Sequence, residues 1–174
     1  MPELIRVVEY DPRWPEVYEL ERGLLVGALY PFVVDIQHIG STSVPGLAAK
    51  PIVDIGVAIE EYPLPEVSIE AVVALGYEYV GEYGIPRRHY FHKGSPRTHH
   101  LHVLEVSGEE WQKHILFRDY IRAHREQARR YETLKRDLAR RYEHDREAYT
   151  DSKTEFVLAT LAKARAWREG APGS

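Results

Sequence analysis

The sequence contains no cysteine among its 174 residues. That absence excludes disulfide bonds, a thiolate nucleophile and every zinc or iron–sulfur site that needs cysteine ligands. The sequence also lacks any apolar run near the ~20 residues that cross a bilayer. Its first residues, MPELIRVVEYDPRWP, carry acids where a secretion signal has a basic start. We therefore expect a cytoplasmic protein with no membrane partner.

The chain also has little net charge, −4 at neutral pH. Residues 1–108 hold 8 Lys and Arg against 15 Asp and Glu, which gives −7, and residues 109–174 hold 15 against 12, which gives +3. A general DNA or RNA binder has a strongly basic surface. We expect no general nucleic-acid binding, although a local basic pocket is compatible with this balance.

The length and the 44% hydrophobic content suit one domain with its own core. We expect this domain to span residues 1–169. The sequence has no internal repeat and no low-complexity linker that would separate a second domain. The final GAPGS, residues 170–174, has the composition of a disordered tail.

The spacing of apolar residues predicts both helices and strands. Helical spacing occurs at about 14–29, 67–75, 109–123, 125–142 and 146–167, and strand patterns at about 32–39, 52–59, 77–80 and in a hairpin that returns over 99–106. We expect an α/β (α+β) fold. Its sheet is mixed and mostly antiparallel, with four or five strands, flanked by helices, and the C-terminal helices pack on it.

The central segment is residues 36–59, IQHIGSTSVPGLAAKPIVDIGVAI, which reads as strand, turn and strand. Gly40 permits a tight turn, and free N–H groups with the hydroxyls of Ser41 and Thr42 suit phosphate oxygens. An ordinary strand-to-loop turn is the alternative. The second strand is apolar on both faces except for Asp54, whose burial is costly without a compensating cation or hydrogen bonds.

Several basic residues are candidates for binding an anion. Lys50 stands in the small-residue loop before the second strand, and a functional and a structural role are equally open for it. Arg88 belongs to the hairpin. Arg118 and Arg122 lie one helical turn apart, so they are spaced to grip one anion or to pair with acids such as Asp119. Surface salt bridges are the alternative for each arginine.

Four segments together resemble a known family: HIGSTSVPGLAAKPIVDI, HHLHV, FRDYIRAH and YTDSK. They are similar to the GrpB family of small bacterial proteins, which belongs to the nucleotidyltransferase-fold superfamily, and the resemblance runs from about Tyr10 to about Ala166. In that superfamily a Gly-Ser turn holds nucleotide phosphates, and metal-binding carboxylates lie one residue apart on the next strand. The resemblance places Gly40, Ser41 and Asp54 in these roles.

The sequence departs from that pattern at Gly56, where the second carboxylate would stand. Histidines are the candidate substitutes, and we expect His38, His100 and His102 to approach Asp54. The divalent metal would be Mg²⁺ or Mn²⁺, or a borderline metal such as zinc, iron or nickel if histidines ligate it. Alternatively, these histidines lie at the surface or core edge and bond to the backbone.

Two functions from different classes fit these observations. The first is a nucleotidyltransferase-like enzyme that binds a nucleotide and a divalent metal, with Asp54 and Lys50 as catalytic residues and an unknown acceptor. The second is a non-catalytic binding or accessory module for a nucleotide or a CoA-related molecule, since related domains are fused to dephospho-CoA kinase in some bacteria. In both cases the expected partner is a nucleotide or another phosphorylated small molecule.

Overall fold

The computed structural model describes residues 4–170. The helices are α1 (Trp14–Leu29), α2 (Glu66–Val73), α3 (Glu109–Ala123), α4 (Arg125–Arg141) and α5 (Arg146–Arg168). The strands are β1 (Val33–Ile39), β2 (Val53–Ile59), β3 (Tyr77–Gly81), β4 (His89–Lys93) and β5 (His99–Glu105). The tail predicted to be disordered is residues 170–174. Gly170 lies in a turn, where its N–H donates to the Trp167 carbonyl at 3.4 Å, and residues 171–174 lie outside the described residues.

The five strands form one sheet in the order β1-β2-β5-β4-β3. Only the pair β2–β5 is parallel, and the other three pairs are antiparallel. The prediction of a mixed, mostly antiparallel sheet flanked by helices is therefore confirmed. As the near-continuous apolar pattern predicted, β2 lies inside the sheet and is buried along its length, with Asp54 as its partly exposed residue.

The strand register divides the sheet into two faces. Asp54 pairs with His100, and Gly56 pairs with His102, so these four residues share one face, which we call the site face. Helix α3 covers part of this face, where Trp111 packs against the sheet. The opposite face carries the main hydrophobic core against α1 and α2, formed by residues such as Leu25, Leu29, Ile55, Val57, Val72, Phe91, Leu101 and Val103.

Helix α4 fixes the loop that leads into β2. Lys135 donates a hydrogen bond from Nζ to the Ala48 carbonyl at 2.7 Å, and Glu132 accepts one from the Ala48 N–H at 2.7 Å. The N-terminal arm adds an isolated bridge between Val8 and Ala49. The loop that contains Lys50 is thus held from both sides. None of the helices in residues 4–170 has the length and apolar character that crossing a bilayer requires.

Candidate functional site

Asp54 lies on the site face between two imidazoles. Its Oδ1 is 3.3 Å from His102 Nε2 and 3.4 Å from His100 Nδ1, and its side chain keeps 26% of its surface exposed. Burial by itself raises the pKa of Asp54, but the bonds from His100 and His102 hold this pKa well below 3.8. The carboxylate is therefore ionised at neutral pH. The prediction that both histidines share the face of Asp54 is confirmed.

Gly40 brings the backbone directly over this carboxylate. Its φ is +71°, and a Cβ at this position would lie 2.6 Å from Asp54 Oδ2. A side chain would therefore meet both an unfavourable backbone conformation and a clash. Glycine is required here because the turn that follows β1, residues 40–43 and named the Gly40 turn below, passes against Asp54.

The backbone of the Gly40 turn is only partly used by its own hydrogen bonds. Ser43 N–H donates to the Gly40 carbonyl and Val44 N–H to the Ser41 carbonyl, both at 3.1 Å. Among the turn and loop backbone bonds of residues 4–170, none uses the N–H of Ser41 or Thr42. Two adjacent donors therefore stand at the turn, which is what an anion site of this kind needs.

His38 and the Thr42 hydroxyl bond to each other. His38 Nε2 lies 2.9 Å from Thr42 Oγ1, and the His38 ring stacks on Tyr18 at 4.9 Å. The β1–β2 register pairs His38 with Ile55, on the face opposite to Asp54. The prediction that His38 approaches Asp54 as a ligand is therefore wrong in its geometry. Side chains alternate along β1, so the residues on either side of His38, and not His38 itself, share the face of Asp54.

Arg118 and Arg122 reach the Gly40 turn from α3, but they bond to protein groups. Arg122 donates two hydrogen bonds to the Ser43 carbonyl, at 2.9 and 2.7 Å. Arg118 donates to the His38 carbonyl at 3.1 Å and pairs with Asp119 at 2.9 Å. Arg122 therefore fixes the turn, and Arg118 fixes the end of β1 just before it. For Arg118 the alternative of pairing with Asp119 is also observed.

Arg88 is buried behind His102 and sets its tautomer. Arg88 Nη1 lies 3.3 Å from His102 Nδ1, and its Nη2 donates to the Tyr83 carbonyl at 2.9 Å. Because a guanidinium only donates, His102 Nδ1 must accept, and the ring proton sits on Nε2 facing Asp54. Both ring nitrogens of His102 are therefore used. Arg88 positions His102 in this structure, and its role in binding an anion stays a prediction.

Three of the four predicted metal ligands, Asp54, His100 and His102, lie together, but the histidine nitrogens near Asp54 bond to its carboxylate. Within residues 4–170 no group of three or more His, Cys, Asp or Glu side chains is arranged to hold a metal ion. His38 lies on the other face, and His102 uses both nitrogens. Of the predicted ligands, Asp54 and His100 therefore remain available to a metal ion. His100 Nε2 is buried without a hydrogen-bond partner among the described residues. This donor set does not form a metal cage by itself.

The structure also explains the missing carboxylate at Gly56. A Cβ there would lie 3.0 Å from Trp111 Cζ3 and 3.2 Å from Ile39 Cδ1. A carboxylate at this position would require Trp111 to move off the sheet. The space that a second metal-binding acid would occupy is therefore filled by the packing of α3.

Lys50 lies against α5. Its Nζ is 4.8 Å from the centroid of the Tyr149 ring. Burial, followed by repulsion from Lys153 and Arg146, lowers the pKa of Lys50 to about 7, although the Asp54 carboxylate opposes this shift. The ion pairs found in residues 4–170 include no carboxylate partner for Lys50. This half-buried amine lies beside other cations.

Three residues near the site were not predicted from the sequence. Lys153 Nζ lies 4.7 Å from the Tyr149 ring centroid, and the YTDSK segment contained both residues. Tyr90 lies beside both site histidines, with its ring centroid 5.4 Å from that of His102. His114 of α3 lies 5.1 Å from His102, and burial lowers its pKa to about 3. Only tertiary packing brings these side chains together.

A cavity of about 520 Å³ lies away from this site, between α2 and the β3 edge of the sheet. Aromatic and apolar side chains line it together with Glu66 and Glu70. Its lining does not include Asp54 or Lys50. The carboxylate site and this cavity are therefore separate features.

The fold and site define a mixed α/β protein with an ionised aspartate under a glycine turn and cations beside it. Residues 4–163 match the family model described as GrpB protein, and the chain belongs to this family. It is 36% identical to the UPF0157 protein YqkA of Bacillus subtilis over 167 residues, which are 95% of this chain and 49% of YqkA. The chain thus spans about half the length of that relative.

The crystal structure of the conserved protein GrpB from Enterococcus faecalis is similar, with a TM-score of 0.87 and 37% identity, over 93% of this chain and 99% of that one. The family resemblance seen in the sequence is therefore confirmed. A dephospho-CoA kinase of Mycolicibacterium paratuberculosis is 26% identical over 191 residues, which are 95% of this chain and 47% of the kinase.

Proposed function

We propose that the protein binds a nucleotide or another phosphorylated small molecule at the site face, between the Gly40 turn and Lys50. The observation that carries the proposal is Lys50 itself, a half-buried amine beside Lys153 that forms no ion pair with a carboxylate among the described residues, although Asp54 acts on it from a distance. Partial burial of a charge beside another cation is costly, and a bound anion offsets it. The backbone donors of Ser41 and Thr42 support the same chemistry.

A divalent metal, Mg²⁺ or Mn²⁺, is expected to bind only together with the phosphates. Mg²⁺ in proteins is commonly held by one or two carboxylates plus substrate phosphates. Asp54 is ionised and 26% exposed, so it can supply one such carboxylate. Because the described residues form no cage, metal without ligand should bind weakly.

A non-catalytic binding module is favoured over nucleotidyl transfer. Trp111 fills the space beside Gly56, so the second acid of the usual metal pair has no place. The match to a dephospho-CoA kinase supports a CoA-related or nucleotide ligand. Transfer chemistry is the second candidate, because an amine with a pKa of about 7 at Lys50 suits a general base.

The test is a set of melting curves for the wild type and Lys50→Met with nucleoside triphosphates, CoA or inorganic phosphate, each with and without Mg²⁺. A ligand that binds only the native state raises the Tm. We expect a rise for wild type that disappears in Lys50→Met. Lys163→Met, which changes an exposed lysine of α5, is the matched control and should keep the rise. No rise with any compound at millimolar concentration would reject the proposal.

A further inference from the structure

One face of α2 lines the cavity between this helix and β3. The lining residues of the helix are Glu66, Ile69, Glu70 and Val73. Their i, i+3, i+4 and i+7 spacing places all four side chains on the same side of a helix. The cavity volume of about 520 Å³ lies within the range of pockets that hold small molecules. Two carboxylates and two apolar side chains therefore face a space of that size.

The lining that comes from the sheet carries an oriented hydrogen-bond donor. Leu64 N–H donates to His89 Nε2 at 3.0 Å, and His89 Nδ1 lies 2.7 Å from the Tyr79 hydroxyl oxygen. Because a backbone N–H only donates, His89 Nε2 accepts, and Nδ1 carries the ring proton and donates to Tyr79. Burial lowers the pKa of His89, so the ring stays neutral at pH 7. The hydroxyl proton of Tyr79 is thus left to donate to a ligand in the cavity.

The two carboxylates of the cavity form no ion pair with any described residue. Glu66 and Glu70 lie one helical turn apart on a helix without basic residues, and like charges at this spacing repel each other. Arg87, which lies over the Tyr62 ring, already pairs with Glu105 at 2.6 Å. A bound cation would therefore relieve the repulsion, and a bound anion would increase it.

We propose that this cavity binds a small organic cation, by class a protonated amine on an aromatic or other apolar body that also carries a hydrogen-bond acceptor. The ammonium group lies between Glu66 and Glu70. The apolar body packs against Leu64 and Val73, and the Tyr79 hydroxyl donates to the acceptor. This site is separate from the Gly40 turn and Lys50, so the inference does not rest on the proposed function.

The test is an NMR titration of isotope-labelled protein with tyramine, phenethylamine and hydroxyphenylpropionate. Phenethylamine lacks the phenol oxygen of tyramine, and hydroxyphenylpropionate replaces its amine with a carboxylate. For wild type we expect the amide signals of Leu64 and Ile69 to shift with tyramine, with lower affinity for phenethylamine. Hydroxyphenylpropionate should cause no shift, because the glutamates repel it.

Three variants assign the contacts. Glu66→Gln combined with Glu70→Gln should weaken tyramine binding by roughly threefold to tenfold, since an exposed ion pair contributes modestly. Glu155→Gln, which changes an exposed glutamate of α5, is the matched control and should bind tyramine like wild type. Tyr79→Phe should bind tyramine and phenethylamine with equal affinity, because the donor to the phenol oxygen is gone.

The wild-type series decides the proposal even if a variant folds poorly. The absence of amide shifts with millimolar tyramine would overturn it. Equal affinity for tyramine and hydroxyphenylpropionate would also overturn it, because the cavity would then not select a cation. Neither result affects the phosphate site, which the melting curves with phosphate compounds test independently.

Discussion

At the scale of single residues, Asp54 is held by protein groups at Oδ1, and the backbone passes close to Oδ2. Two imidazoles face Oδ1, and the Gly40 backbone lies against Oδ2. The carboxylate therefore has a structural role in the protein without ligand. That role does not conflict with ligand binding, because a quarter of its side chain stays exposed.

Replacing Asp54 tests this structural role. Asp54→Ala should lower the free energy of unfolding by about 1 to 3 kcal/mol, because donors of His100 and His102 lose their partner while buried. Asp54→Asn keeps an acceptor oxygen and should cost less. Urea unfolding measures both, with Asp151→Ala on the exposed side of α5 as control. A more stable Asp54→Ala variant would show that the buried charge is not satisfied in the native state.

Glycine substitutions at two positions test the contact over Asp54. Gly40 and Gly46 both have positive φ, +71° and +80°, but a Cβ at Gly46 meets nothing within 4 Å. Both substitutions place a side chain on a backbone with positive φ, but only Gly40→Ala also creates the clash with Asp54. Gly40→Ala should therefore destabilise the protein by roughly 1 to 3 kcal/mol more than Gly46→Ala. Thermal unfolding gives the comparison. Equal losses would mean that the turn moves away from Asp54 without cost.

The histidine next to the turn gives a pH-dependent prediction. Burial lowers the pKa of His38 to about 4, against 6.5 in the unfolded chain. The folded state then binds fewer protons than the unfolded state between these values, so stability present above pH 6.5 is lost as pH falls towards 4. The loss attributable to His38 should be on the order of 3 kcal/mol. Urea unfolding between pH 7.5 and 4.5 should show a shallower decline for His38→Gln; parallel declines would contradict this origin.

At the scale of elements, periodicity predicted the strands and helices well. The helix predicted at 14–29 is α1, and the alternation of residues 99–106 correctly placed His100 and His102 on one face. These features depend on local sequence alone. The position of His38 failed because it depends on the register between β1 and β2, which alternation within one strand does not determine.

The packing of the helices creates contacts that could not be predicted from the sequence. Arg118 and Arg122 were correctly predicted to lie one turn apart. The bond of Arg118 to the end of β1 and the bonds of Arg122 to the Gly40 turn depend on how α3 crosses β1. Lys153 reaches Lys50 only because α5 packs beside the loop before β2. Side-chain pattern predicts which face of an element is buried, and not which partner lies opposite it.

The bidentate bond of Arg122 gives a prediction for the turn. Arg122→Lys keeps the charge but removes the two-pronged geometry that fixes the Ser43 carbonyl at 2.9 and 2.7 Å. We expect weaker phosphate binding, by roughly threefold to tenfold, because the turn is less well ordered before binding. Arg130→Lys on the exposed part of α4 is the control. Unchanged affinity would show that the turn is held by its other contacts.

At the scale of the whole molecule, the two faces of the sheet have different chemistry. The face against α1 and α2 is an apolar core, while the site face gathers Asp54, three histidines and the cations of α4 and α5. The overall charge of −4 does not show that several cations lie near one another here. Under the proposed function, these few cations would face a small anionic ligand.

The charge of Lys50 also couples ligand binding to the uptake of protons. The pKa of Lys50 is about 7, and a bound phosphate should raise it towards its ordinary value of 10.5. Binding at pH 8 should therefore take up protons, and affinity should fall as pH rises above 8. Calorimetry in two buffers of different ionisation enthalpy measures the uptake, which Lys50→Met should reduce. Binding without proton uptake in wild type would place the phosphate away from Lys50.

The most direct measurement is a crystal structure with a non-hydrolysable nucleoside triphosphate and Mn²⁺, because it locates the phosphates without reference to activity. We expect phosphate density within hydrogen-bonding distance of the Thr42 N–H and of Lys50 Nζ, with anomalous density for Mn²⁺ only where phosphates are present. A nucleotide bound instead in the 520 Å³ cavity between α2 and β3, with the site face unchanged, would contradict the proposed site.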